Sequence, residues 1–513
     1  MDEKPIFQGS QIPQPPVETP VANSGFPPVP EAPTQRNINI PSVEHKELVN
    51  PSFQSEETLS HAEPTPQSES SPEGENVKEK KRGLSGLIKI IPFLIGIIVV
   101  VFIIYLISVI SPRLMPATSG KVTLEYWGLW EDGKTMNSII SDFEKANPNI
   151  TVNYTKQDIK QYRQKLEKRI DNGTGPDIFR FHNTWPIMLY SYLLPLPTDT
   201  ISPSDFKKWF YPVMQKDLIK NGAIYGIPLG IDTLELYVNT DILKASGTEA
   251  PQNWEDFAST ATALTVKDAS GEIKTSGVAL GTSNNVVHAP DIVSLLFAQN
   301  GVNLEDISSN SKNLSQALQY YTSYANGDGK IWDQNQDSSL LAFAKGNLAM
   351  CFGYSWDYFT ITALNPNLNF KIIKAPKLAN KDLTIASYWV EGVSVKSKHQ
   401  KEALLFMKYL AQKETEQKLY SEESKTRAFG EPYARMDLAD TLKTNPAVYP
   451  FVENAVNATS SYFADGTYDQ GLNDELNTYL NTAIDSVLNN TSPDSAADTL
   501  SSGFTQTLQK YGK

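Results

Sequence analysis

The stretch Tyr126-Trp127-Gly128-Leu129-Trp130-Glu131-Asp132-Gly133 places two indoles and two carboxylates within eight residues. Indoles offer flat apolar faces and carboxylates accept charge-assisted hydrogen bonds, a pairing suited to non-covalent recognition. The pairing recurs along the chain. His182, Asn183 and Trp185 follow "PDIFRF"; Tyr354, Trp356 and Asp357 follow "NLAMCFG"; Tyr388, Trp389 and Glu391 lie in "IASYWVEG". Any one of these aromatics could be core. As a set, beside Gly, Asn and acids, they predict a shared aromatic cleft.

Composition narrows the other chemistries. A net charge of −13 over 513 residues argues against a nucleic-acid partner, which would require Lys and Arg to neutralise phosphates. The lone cysteine, Cys351, allows no internal disulfide and no multi-cysteine metal site, and reads as a buried inert thiol. Five scattered histidines offer no close ligand pair, so neither metal nor cofactor is expected.

The elements that would position these residues are legible from Lys121 onward. "KVTLEYW" reads as a strand whose carboxyl end carries the opening stretch. Met136, Ile139, Ile140 and Phe143 then recur at helical spacing. "ITVNYT" is a second strand. Ile159, Tyr162 and Leu166 mark a helix that Gly173 can stop, and "PDIFRF" is a third strand. Strand–helix–strand at this spacing implies right-handed crossovers and a parallel sheet covered by helices on both faces. Ligands of such sheets sit beyond the strands' carboxyl ends. Trp127, Trp130 and Glu131 are thus expected on a binding loop, and Tyr126 in the core.

Before this domain the chain changes character. Residues 1–85 are rich in Pro, Ser, Gln and Glu without hydrophobic periodicity, and read as a disordered tail. Residues 86–112 contain an uncharged apolar run from Ile90 to Ile110, and about 21 residues suffice to span a bilayer. Lys78, Lys80, Lys81 and Arg82 precede the run, while only Arg113 and Lys121 follow closely. The positive-inside bias therefore predicts a single-pass cell-membrane protein. The tail would be cytoplasmic, residues 113–120 a linker, and residues 121–513 extracellular.

Residues 221–257 carry a family resemblance through Tyr225, Gly226, Pro228, Tyr237, Asn239, Pro251 and Trp254. Further matches run in order: "GTGPDI" at 173–178, "FAKGNLAMCFGYSW" at 343–356, "EGVSVKSKHQKEALLFMKYL" at 391–410 and "EPYARMD" at 431–437. Together they resemble the extracellular solute-binding proteins of ABC importers, in the carbohydrate-binding, maltose-binding-protein-like group. The resemblance implies an α/β, two-lobed periplasmic-binding-protein-like clamshell that binds sugar between its lobes and delivers it to permease subunits. By analogy, lobe one takes about 121–231 and 377–433, and lobe two about 235–375 and 436–513, with crossings near Asp232, Pro376 and Tyr433. It implies sugar contacts from Asp232, from Trp356 as a stacking platform, from Phe181 and Asn183, and from Asn284 with its neighbours Asn285 and His288. Trp185, Tyr354, Trp389 and Glu391 complete the expected site. The family's bacterial lipoproteins carry a cysteine after the signal peptide. This sequence has none there, so its expected anchor departs from the common one.

Two other readings share these features. A glycoside hydrolase needs two carboxyl groups about 5–9.5 Å apart, for which Glu131, Asp232 and Asp357 are available. A sugar sensor would signal inward, but the tail offers no folded output domain and would need a partner.

Overall fold

A computed structural model describes residues 25–29 and 120–513. The apolar run 90–110 and most of the tail lie outside the described residues. Among the described residues, no helix is long and apolar enough to cross a membrane.

In β1 (Val122–Gly128), Leu124 and Tyr126 are buried while Thr123 stays exposed, the alternation of a half-buried strand. The helix α1 (Gly133–Ala146) buries the four apolar residues whose spacing predicted it. β2 (Ile150–Lys156) pairs with β1 in parallel. α2 (Tyr162–Asp171) buries Tyr162, Leu166 and Ile170; Ile159 precedes the helix rather than opening it. Gly173 follows at φ 68°, a conformation open to glycine without strain. β3 (Ile178–His182) lies on the other side of β1, also parallel.

The sheet is not wholly parallel. Strand Trp389–Val393 pairs antiparallel with β3, and Ile227–Pro228 antiparallel with that strand in turn. Trp389 opens this strand and Glu391 lies within it. A second five-stranded sheet contains Glu235–Asn239, Ile273–Val278, Leu348–Gly353 and Phe370–Ile373. Each sheet has its own hydrophobic core.

The chain changes core at a third, small sheet of Asp232–Thr233, Thr384–Ser387 and Ala458–Thr459. Ile231 packs in the first core and Leu234 in the second, so the first crossing lies at Asp232. The later two lie elsewhere than the analogy put them. Ile385 belongs to the second core and Ala386 to the first, which moves that crossing from Pro376 into the strand Thr384–Ser387. Leu438, Leu442, Val448 and Ala455 still pack in the first core, although Phe451 among them reaches into the second, and Phe463 packs in the second. The last crossing therefore falls between 455 and 463. Backbone pairing in the small sheet sets these points; family landmarks lie only near them.

Residues 25–29 also have a seat. Phe26 stacks on Tyr320 with ring centroids 4.5 Å apart at 18°, and meets Trp254 edge-on at 5.8 Å. This part of the expected tail packs on the second core.

Candidate functional site

β1 and β2 together place Trp130. A Cβ at Gly128 would meet the Tyr154 ring at 2.4 Å, so glycine lets that ring cross the end of β1. The Tyr154 hydroxyl donates to the Glu131 carbonyl at 2.9 Å, and Lys156 donates to the Trp130 carbonyl at 2.8 Å. Asp132 caps α1 by accepting from the Thr135 N–H at 2.7 Å. Fixed at these points, the loop holds the Trp130 indole 45% exposed. Its ring meets Trp389 edge-on at 5.3 Å, and Trp389 in turn meets His182 at 5.0 Å and Trp185 at 5.4 Å.

A buried ion triad lies beside this loop. Arg180 sits in the middle of β3, opposite Glu391 in the antiparallel register. Its Nε and Nη2 both reach Glu391 Oε1 at 2.6 Å, and its Nη1 pairs with Glu131. A guanidinium this deep is tolerable only when paired. Burial holds the Glu391 carboxyl above its ordinary value, with Arg180 opposing.

Trp356, 38% exposed, stands in the first turn of the helix Ser355–Leu364. One face of its indole stacks on Tyr354 at 4.5 Å and 24°, and His288 meets both rings edge-on. Asp357 accepts from the Tyr354 N–H at 2.8 Å, which closes the helix start. Asp232, buried at the first crossing, accepts from the Ser355 N–H and hydroxyl at 2.9 and 2.5 Å.

Glu431 joins the two sets. The chain at Pro432 accepts from the Ile231 N–H at 2.9 Å, which brings Glu431 beside the first crossing. Burial, and next repulsion from Glu431, raise Asp232 well above the ordinary carboxylate range. Glu431 is raised too, by burial and then by Glu131, with Arg427 opposing from 3.2 Å. A run of carboxylates (Glu131, Glu431, Asp232) thus extends from the Trp130 loop to the Trp356 helix. The two halves also touch directly: Thr184 donates to Asn473 Oδ1 at 2.8 Å, and Arg163 donates to the Asp469 carbonyl at 2.8 Å.

The predicted residues divide. Trp130 and Trp389 meet beside the Glu131–Arg180 pair, and Trp356 stands on the helix Ser355–Leu364. Trp127 is not on the loop: it lies within β1, half-buried beneath the Lys165 ammonium, 5.1 Å from its centroid. Phe181 and Trp185 are wholly buried core, because β3 is covered on both faces and Trp389 seals Trp185. Glu391 is spent on Arg180, Tyr354 underlies Trp356, and both oxygens of Asp232 face Ser355. Asn183 binds Asp217 and the Tyr388 N–H, and lines a separate cavity of about 290 Å³ with Tyr190, Ser460 and Lys513. Asn284 is exposed in another recess beside Asp333 and Asp485, while Asn285 is structural and accepts from the Trp332 indole at 2.9 Å.

Sequence reasoning missed Arg180, Arg427 and Glu431. Arg180 had a signal: a charge in the middle of the apolar strand "PDIFRF" must find a buried partner. One donor atom each from His288, Asp291 and Asp465 lies within 4.8 Å of the others, a spacing a cation could use, although both imidazole nitrogens already face carboxylates.

The pattern of the bacterial extracellular solute-binding protein family matches residues 138–473. The chain belongs to that family. This solute-binding protein is 24% identical to the multiple sugar-binding protein of Streptococcus mutans over 375 residues, 66% of this chain and 80% of the relative. It is 25% identical to the maltodextrin-binding protein MdxE of Bacillus subtilis over 287 residues, 54% of this chain and 65% of that one. Among solved structures, a cyclo/maltodextrin-binding protein complexed with maltotetraose superposes with TM-score 0.63 at 20% identity, covering 76% of this chain and 99% of that chain. The maltose-binding protein MalE of Listeria monocytogenes, in complex with maltose, gives TM-score 0.59 at 21% identity, covering 77% and 100%. The likeness establishes the maltose-binding-protein-like α/β fold. As a solute-binding protein the chain holds its ligand without converting it, which sets hydrolysis aside.

Proposed function

We propose that this solute-binding protein captures a carbohydrate between the Trp130–Trp389 pair and Trp356 and presents it to the permease subunits of an ABC importer. The observation that carries the reading is the exposure of Trp130 and Trp356 at opposite ends of one carboxylate run. A sugar ring has C–H faces and a hydroxyl rim. An indole face contributes about 0.5–1.5 kcal/mol beyond area burial, and a hydrogen bond to a carboxylate about 1.5–3 kcal/mol. Two stacks and two such bonds contribute about 4–9 kcal/mol beyond area burial, against which the cost of immobilising the ligand is set. The sugar-binding names of the relatives support the same class. The apolar run 90–110 would anchor the protein, with the domain outside on the charge bias. Closure of the two halves on the ligand would be the state an importer reads.

Titration calorimetry against maltose, maltotetraose, mannobiose and non-sugar solutes tests the ligand class. Micromolar binding of at least one sugar, weakened by Trp356→Ala, is expected. Binding of peptides or polyamines with no sugar response would overturn the reading.

A further inference from the structure

We infer that His288 is the positioning residue of the Trp356 platform: clamped between Asp357 and Asp465, it fixes the indole's orientation before a ligand arrives. The inference rests on the reading of Trp356 as a ligand platform, although its main test does not require a ligand.

Three segments meet at this imidazole. His288 Nε2 lies 2.9 Å from Asp357 Oδ2, in the first turn of the Trp356 helix, and Nδ1 lies 3.1 Å from Asp465 Oδ2, in the segment leading to helix Leu472–Leu488. The third segment is its own, at the start of helix Ala289–Gln299. With a carboxylate at each nitrogen, both ring nitrogens donate and the ring is a cation. The remaining groups facing it are Asp291 on its own helix and the Tyr354 hydroxyl, and these satisfy each other at 2.9 Å. Burial opposes the imidazolium charge, but Asp357 and then Asp465 outweigh it and hold His288 well above the ordinary histidine range.

The ring contacts turn the clamp into a positioning device. The imidazole edge meets Tyr354 at 5.0 Å and 78°, and Trp356 at 5.9 Å and 79°, while Tyr354 supports one indole face. One face and one side of Trp356 are thus held, and the outer surface stays open. His288 itself adopts φ 62°, a left-handed conformation strained for a non-glycine residue. Its side chain is 8% exposed, so it acts through Trp356 rather than on a ligand.

The test uses the full-length protein with 5-fluorotryptophan, the Trp356 resonance being assigned by its loss in Trp356→Phe. In the wild type one narrow resonance is expected. His288→Asn removes the cation and one of its two donors, so the unliganded resonance should broaden or split, and acrylamide should quench the indole at least twofold more efficiently. Should that variant fail to fold, Asp465→Asn loosens the same clamp from its solvent side and should broaden the resonance to a lesser degree. An unchanged Trp356 resonance in whichever variant folds would overturn the inference. The sugar panel then separates the two readings. A wild type that binds no sugar refutes the proposed ligand class and leaves the resonance result standing. A wild type that binds sugar, with His288→Asn binding it equally tightly, refutes the positioning role alone; a loss of about tenfold supports it.

Discussion

Ser355 donates both its backbone N–H and its hydroxyl to the Asp232 carboxylate, at 2.9 and 2.5 Å. One side chain thus ties the first crossing between the two cores to the helix that carries Trp356. Asp232→Ala leaves the Ser355 N–H buried without an acceptor, and should cost about 1–3 kcal/mol of folding free energy. Asp232→Asn keeps an acceptor for the N–H and offers a donor to the hydroxyl oxygen, so its cost should be clearly smaller. Chemical denaturation of the three proteins measures this, and equal losses would refute the assignment.

The same region predicts the sign of a pH effect. Burial, with Glu431 next, raises Asp232 well above 3.8; burial raises Glu431 above 4.5, and raises Glu423 to about 7 although Arg427 opposes it. Each folded-state value exceeds its unfolded one, so the native state binds more protons and stability falls as pH rises. The decline should begin above pH 4.5 and run through about 7. Unfolding free energies measured from pH 5 to 8 should show a shallower fall in Asp232→Asn and Glu423→Gln than in the wild type; parallel slopes would contradict the cluster's role.

Exposure separates the tryptophans into two groups with opposite forecasts. Trp356→Ala should weaken sugar binding roughly ten- to a hundredfold through lost stacking and area, with little change in the melting temperature of the unliganded protein. Trp185→Ala removes a wholly buried indole and should cost about 3–5 kcal/mol of stability. Paired melting and calorimetry decide it. A large stability loss in Trp356→Ala with unchanged affinity would return that residue to the core.

Two hydrogen bonds between the halves bear on closure. Thr184 reaches Asn473, and Arg163 reaches the Asp469 carbonyl. If ligand selects the closed state, Thr184→Val with Arg163→Met should populate the open one and lower affinity several-fold without touching the tryptophans. Solution scattering should show a smaller radius of gyration on ligand binding in the wild type, and a larger unliganded radius in the variant. Superimposable curves in all four states would remove closure from the mechanism.

Protease applied to intact cells should remove the large domain and spare an epitope on the cytoplasmic tail. The stacking of Phe26 on Tyr320 supplies the counter-test, because that contact needs both residues on one side of a membrane. A disulfide formed in cells between Phe26→Cys and Gln316→Cys would put the tail and the domain on one side and refute a single membrane span between them.

How much of this was legible beforehand follows from the range of each interaction. Helix and strand alternation from β1 to β3 was readable because periodicity reports which face of a local element is buried, and Met136, Ile139, Ile140 and Phe143 are buried as their spacing requires. The apolar run and its flanking charges were readable for the same local reason, and ordered landmarks carried the family. The fate of each aromatic was not. Trp130 and Trp185 both follow a strand in aromatic and polar company, yet one is 45% exposed and the other wholly enclosed. What encloses Trp185 is Trp389, about two hundred residues later, and the partner of Arg180 is Glu391, 211 residues away. Likewise the later crossings were settled by backbone pairing of Thr384–Ser387 with Asp232–Thr233 and Ala458–Thr459. Sequence alone determined the local elements, the charge balance and the residue types available for recognition. Tertiary structure decided which of them reach solvent, because the enclosure of a side chain depends on distant segments that closure of the fold brings beside it.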